Sequence, residues 1–188
     1  MTAAMPAGVG TLERQERRFA LLLFAPALLL LLPLAAMLVT DEMNWGAADF
    51  ALFGAMLAGA CGTFELAVRM TGNKAYRAAV GVALAAAFIL VWMNLAVGVI
   101  GSEENPANWM YGGVLAVGII GALIARFQPQ GMARALAATA LAQALVTVIA
   151  LIAGWGSAFI LTGLFVALWL LSAWLFRKAH LGPTGQAA

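Results

Sequence analysis

Charge is what this sequence has least of. Only 10% of its 188 residues are Asp, Glu, Lys or Arg, and 64% are hydrophobic. A soluble domain carries roughly 25% charged residues, because its surface must face water. This chain cannot clothe such a surface, so lipid is its expected solvent. Cysteine and histidine are scarcer still. The single cysteine, Cys61, excludes an internal disulfide and any C-x-x-C redox or zinc site. The single histidine, His180, excludes a bis-histidine haem. The sequence also lacks G-x-S-x-G, H-E-x-x-H, a Cys–His pair and any cluster of metal ligands. Nor does it hold a glycine-rich phosphate loop followed by lysine. No catalytic residue, cofactor, metal site or nucleic-acid partner is therefore expected, and the chain does not read as an enzyme.

What is present is a succession of long apolar runs. The length suits one bundle of six spans at roughly 20 residues each. The expected architecture is an all-α membrane protein, a six-transmembrane helical bundle. Its spans fall at 19–39, 48–68, 78–100, 109–125, 135–153 and 158–176, with tails at 1–18 and 177–188. The tail from Arg177, with Gly182-Pro183, reads as disordered. The first span contains Pro26 and Pro33, which membrane helices tolerate when neighbours re-satisfy the freed carbonyls. A cleaved signal peptide is the rival for this segment. The run is long for one, and Pro33-Leu-Ala-Ala-Met is a poor cleavage site. The helix is similar to the first span of binding-protein-dependent import permeases, but the cytoplasmic E-A-A loop of that family is missing.

Orientation follows from the basic residues. All ten fall on one side of the six-span layout: Arg14, Arg17, Arg18, Arg69, Lys74, Arg77, Arg126, Arg134, Arg177 and Lys178. The opposite loops hold Asp41, Glu42, Asp49, Glu103 and Glu104 and no Lys or Arg. Lys and Arg favour the cytoplasmic side, so both termini are expected in the cytoplasm. Trp45, Trp109 and Trp155 fall at outer ends and Trp174 near an inner end, where amphipathic rings prefer the headgroup zone.

The outward-to-inward helices share a pattern. Phe53-Gly54 runs to Ala58, Tyr111-Gly112 to Ala116 and Thr162-Gly163 to Ala167; each helix closes on an arginine (Arg69, Arg126, Arg177). Three repeated hairpins would give this pattern; so would generic packing glycines. Small residues also recur every four positions at Gly54, Ala58 and Gly62 and at Gly121 and Ala125. Such stripes let helix backbones approach closely.

Few polar residues lie inside spans. Glu65 falls about 9 Å from the midplane on the inner side, at a rise of about 1.5 Å per residue. An acid at that depth costs a few kcal/mol or more, unless Arg69, four residues on, pairs with it and both snorkel. Gln143 sits mid-span with Thr139 and Thr147 at i−4 and i+4. Asn94 lies about 8 Å toward the outer side. Each could simply bond a neighbouring helix, worth about 0.6 kcal/mol in a bilayer. Together, Glu65, Gln143 and Asn94 would step through the membrane as a polar path.

The sharpest local signal is the outer loop Gly-Ser-Glu-Glu-Asn-Pro-Ala-Asn, residues 101–108. Asn105 before Pro106 fits an N-cap followed by proline at the first helical position. Glu103 and Glu104 would be favoured beside that helix end, and they offer a site for a cation or a basic partner segment. Asn108 closes the segment. Asn105-Pro106-Ala107 resembles the aquaporin tripeptide, but those channels carry two copies and more chain. As a whole, this segment with its flanking helices resembles a group of small, uncharacterised polytopic bacterial inner-membrane proteins, over spans 2 to 5. That resemblance implies the same architecture and a multi-pass inner-membrane location, and it transfers no activity. The expected function is membrane-embedded binding or assembly. The expected partners are the lipid bilayer and a homo-oligomer or another membrane protein. Transport of a small solute or ion is the alternative.

Overall fold

The computed structural model describes residues 28–29, 31, 33–35, 37–39, 45–96, 98–101, 105–155 and 159–182. The first expected span lies largely outside these residues, although its described parts are helical. Asp41, Glu42, Glu103, Glu104, the N-terminal tail and the chain beyond Gly182 also lie outside them. Among the described residues there are five long helices and no strand: α1 (Ala47–Met70), α2 (Lys74–Ala96), α3 (Trp109–Ile124), α4 (Pro129–Ile152) and α5 (Phe159–Leu181). A 3-10 turn, Pro106–Asn108, leads into α3. The five helices correspond to expected spans 2 to 6. All five, α3 together with its 3-10 turn, are long and apolar enough to cross a membrane, which fits an integral multi-pass membrane protein.

The chain divides into two compact units, Met1–Gly62 and Thr63–Ala188, with the division inside α1. In the first unit, the start of α1 is locally encoded. Asp49 in the first turn reaches back, its Oδ2 accepting the Gly46 amide at 2.8 Å, as the third residue of a capping box does. Trp45 packs edge-on against Phe50 and Phe53, with centroids 5.4 Å apart in each pair. The Trp45–Phe50 pair has the spacing of a hydrophobic staple across a helix start.

In the second unit, α5 packs against both α2 and α4, and α4 packs against α3. The α4–α5 hairpin is closely packed, whereas α2 and α3 barely touch, so the two hairpins are not built alike. The buried seams have a coiled-coil period. On α4 the seam is Met132, Leu136, Thr139, Gln143, Val146 and Ala150, with Ala133, Ala135 and Ala140 also buried; on α5 it is Thr162, Phe165, Trp169, Ser172, Phe176 and Ala179, with Ala173 also buried. Both alternate steps of three and four, the spacing that keeps one face against a partner helix. Helices α3 and α4 approach closely. A Cβ on Gly121 would lie 2.7 Å from that of Ala135, and one on Gly131 would lie 2.6 Å from that of Ala125. The expected small-residue pair Gly121–Ala125 therefore lies in this interface.

Three boundaries differ from the apolar runs. Helix α2 stops at Ala96 rather than near residue 100, because Gly98 takes a left-handed φ of 68°. Helix α4 begins at Pro129, before the apolar run, with Pro129 in its first turn, where its missing N–H costs nothing. Helix α5 continues to Leu181, so residues 177–181 are helical rather than an unstructured tail. Polar residues at a membrane surface can extend a helix beyond its apolar stretch, and hydropathy alone marks only that stretch.

Candidate intramembrane polar site

Gln143 is the most unusual polar residue of the core. It is fully buried on α4, and neither its Oε1 nor its Nε2 has a hydrogen-bond partner. The threonines flanking it are satisfied by their own helix. Thr139 Oγ1 donates to the Ala135 carbonyl at 2.9 Å, and Thr147 Oγ1 donates to the Gln143 carbonyl at 3.0 Å. The polar stripe thus reduces to one amide. Leaving a buried polar group without a partner costs about 1–3 kcal/mol.

A second unpaired group lies at the same depth. Trp169 on α5 is buried, and its indole Nε1 has no partner. Gln143 lies nine residues before the end of α4 at Ile152, and Trp169 lies ten after the start of α5 at Phe159. At about 1.5 Å per residue these offsets agree to within roughly 2 Å along the hairpin. The same seam holds Thr162, which faces Tyr111 of α3 (Oγ1···Oη 3.4 Å), and Ser172, whose Oγ donates to the Ala79 carbonyl of α2 at 2.8 Å. Trp169, Thr162, Ser172 and Tyr111 were not expected from the sequence. For the three on α5 the signal was the three-and-four spacing of polar and aromatic residues along that helix; Tyr111 on α3 gave none.

The other expected path residues do not join this site. Glu65 and Arg69 form an i,i+4 ion pair at 2.9 Å, with Arg69 60% exposed and Glu65 17%. Asn94 is half-buried on α2 and donates through Nδ2 to the Leu90 carbonyl of its own helix at 3.1 Å; its Oδ1 is buried without a partner. Among the described residues no hydrogen bond links any two of Glu65, Gln143 and Asn94. The core site therefore offers neutral donors and acceptors: one amide, one indole and hydroxyls. Such a set can orient a small neutral polar guest.

Just before α3, Asn105 caps the 3-10 turn, its Oδ1 accepting the Ala107 amide at 2.9 Å. Asn108 does more. It is buried, its Oδ1 accepts the amides of Val99 (3.1 Å) and Ile100 (2.8 Å), and its Nδ2 donates to the Ile100 carbonyl at 3.4 Å. Among the described residues, no three His, Cys, Asp or Glu side chains are grouped as metal ligands would be. No protein family, curated protein or solved structure shows significant similarity to this chain.

Proposed function

We propose that this protein is a membrane-embedded binding or assembly component of the bacterial inner membrane, spanning it six times with both termini cytoplasmic. The orientation is supported by charge. Arg69, Lys74, Arg77, Arg126, Arg134, Arg177 and Lys178 all lie toward one end of the helices, where Tyr76 bonds Phe127 and Asn73 bonds Ala179. Lys and Arg collect on the cytoplasmic side of such bundles.

One observation carries the assembly reading. In each of the three segments that share the glycine pattern, the residue before the glycine is buried: Phe53, Tyr111 and Thr162. The alanine four residues after each glycine (Ala58, Ala116, Ala167) is exposed, and a Cβ on Gly112 or Gly163 would meet nothing within 4 Å. Exposed Gly-x-x-x-Ala faces gain little from lipid, but they allow another helix to approach closely. Native mass spectrometry of protein released gently from its membrane tests this. A fixed homo-oligomer or a defined protein partner is the expected result. A bare monomer overturns it.

The alternative, transport of a small solute, is favoured by the unpaired Gln143 and Trp169 groups. Its test is labelling of an Asn94→Cys variant, in a Cys61→Ser background, with a membrane-impermeant thiol reagent. A dry position 94 counts against a water-filled path.

A further inference from the structure

We propose that the basic end of α5 binds the headgroup of an anionic glycerophospholipid. A groove of about 790 Å³ opens between the start of α2 and the end of α5, lined by Asn73, Trp174, Arg177, Lys178 and Leu181. The two elements are tied together there, because Asn73 Nδ2 donates to the Ala179 carbonyl at 3.1 Å. Asn73 Oδ1 already accepts the amides of Ala75 and Tyr76, so the α2 helix end is capped and the groove's attraction for an anion comes from side chains. Arg177 and Lys178 are exposed, and neither has a carboxylate partner among the described residues. Arg77, at the same end, is spent on the Val68 and Thr71 carbonyls that close α1. The only described carboxylate paired with a cation in the structure is Glu65, held by Arg69.

The rest of the surface selects a lipid over a soluble anion. Leu170, Trp174, Arg177, Lys178 and Leu181 stand at i, i+4, i+7, i+8 and i+11, and so share one face of α5. Leu170 and Trp174 are exposed on it, one turn and more toward the membrane interior from the cations. Lys178 Nζ lies over the Trp174 ring, 5.5 Å from its centroid, a cation–π contact that holds the ammonium at the level of the indole. An apolar strip leading to a tryptophan belt and then to two cations matches, in order, an acyl chain, a glycerol backbone and a phosphodiester. Basic pockets between membrane helices on the inner side take headgroups of this class.

The inference rests on the helices crossing a bilayer and not on the assembly reading. The full chain is placed in nanodiscs of phosphatidylcholine with phosphatidylglycerol, and the lipids it retains are weighed by native mass spectrometry. Wild type is expected to retain phosphatidylglycerol selectively. Arg177→Gln/Lys178→Gln is expected to lose that selectivity by roughly tenfold or more. Arg126→Gln/Arg134→Gln removes the same charge from the same end outside the groove and is expected to keep it. Equal loss in both double variants, or no loss in either, overturns the site. Displacement of the lipid by inorganic phosphate alone overturns the lipid assignment in favour of a soluble anion. A chain that enters neither these mixed discs nor discs of phosphatidylcholine alone overturns the membrane reading itself, and with it this inference. Oligomeric state, read from the same spectra, reports on assembly separately.

Discussion

Asn108 and Ile100 bond reciprocally across eight residues: Oδ1 accepts the Ile100 amide at 2.8 Å and Nδ2 donates to the Ile100 carbonyl at 3.4 Å. With the Val99 amide also on Oδ1, one side chain substitutes for the helix that Gly98 ended. It supplies partners to the backbone of a buried turn. Asn108→Ala would orphan both amides and should cost about 2–4 kcal/mol in detergent unfolding. Asn105→Ala removes only a cap and should cost about 1 kcal/mol. Equal losses would mean that water reaches the loop.

The closing turns of α3 and α4 invite a matched test. Both have the bonds of a Schellman turn: Phe127 N to Ala122 O with Arg126 N to Leu123 O, and Trp155 N to Ala150 O with Gly154 N to Leu151 O. The left-handed residue is Gly154 in one, at φ 69°, and Arg126 in the other, at φ 48°. Phe127 follows at φ 59°, and its carbonyl is held by the Tyr76 hydroxyl at 2.8 Å. A side chain in this conformation costs about 1–2 kcal/mol. Arg126→Gly should therefore stabilise the protein by about 1 kcal/mol, and Gly154→Ala should destabilise it by a similar amount. Melting of the two variants beside wild type reads both signs.

These features show where the sequence was legible and where it was not. Apolar runs located the five described helices, because lipid imposes length directly. They could not show which face is inside, because the lipid-facing surface is as apolar as the core. On α4, Leu141 and Leu145 are exposed while Ala140 and Gln143 are buried, the reverse of a soluble helix. Asn105 was legible as a cap because capping is local. The role of Asn108 was not, because it depends on α2 ending early and its partners lie eight and nine residues back. Glu65 and Arg69 were legible as a pair, four residues apart on one helix.

That pair should matter little to stability. Arg69 is largely exposed, and a partly exposed i,i+4 pair is worth less than about 1 kcal/mol. Glu65→Gln should shift the unfolding midpoint only slightly. A loss several times larger would show that the carboxylate serves something beyond Arg69.

Gln143 should behave in the opposite way from most buried residues. Its amide pays the cost of burial with no bond in return. Methionine is close in volume and flexible enough to fill the same space. Gln143→Met should therefore be neutral or stabilising, by up to about 2 kcal/mol. A clear destabilisation would mean that the amide is satisfied by a bound guest or water, and would favour the solute-binding alternative.

The glycines separate internal packing from assembly. Gly121 and Gly131 face Ala135 and Ala125 at distances no Cβ tolerates, so alanine there must push α3 and α4 apart, at about 1–3 kcal/mol. Gly112 and Gly163 face open space. Alanine at these sites should stabilise the isolated helix by up to about 1 kcal/mol. Leucine at the same sites meets nothing within the protomer but blocks close approach of a second helix. Gly112→Leu and Gly163→Leu should thus leave the protomer's unfolding intact while dissociating the assembly in native mass spectra. If the leucine variants stay associated, the exposed Gly-x-x-x-Ala faces are not where the partner sits. If Gly121→Ala and Gly131→Ala are silent, α3 and α4 are not packed as closely as their backbones require.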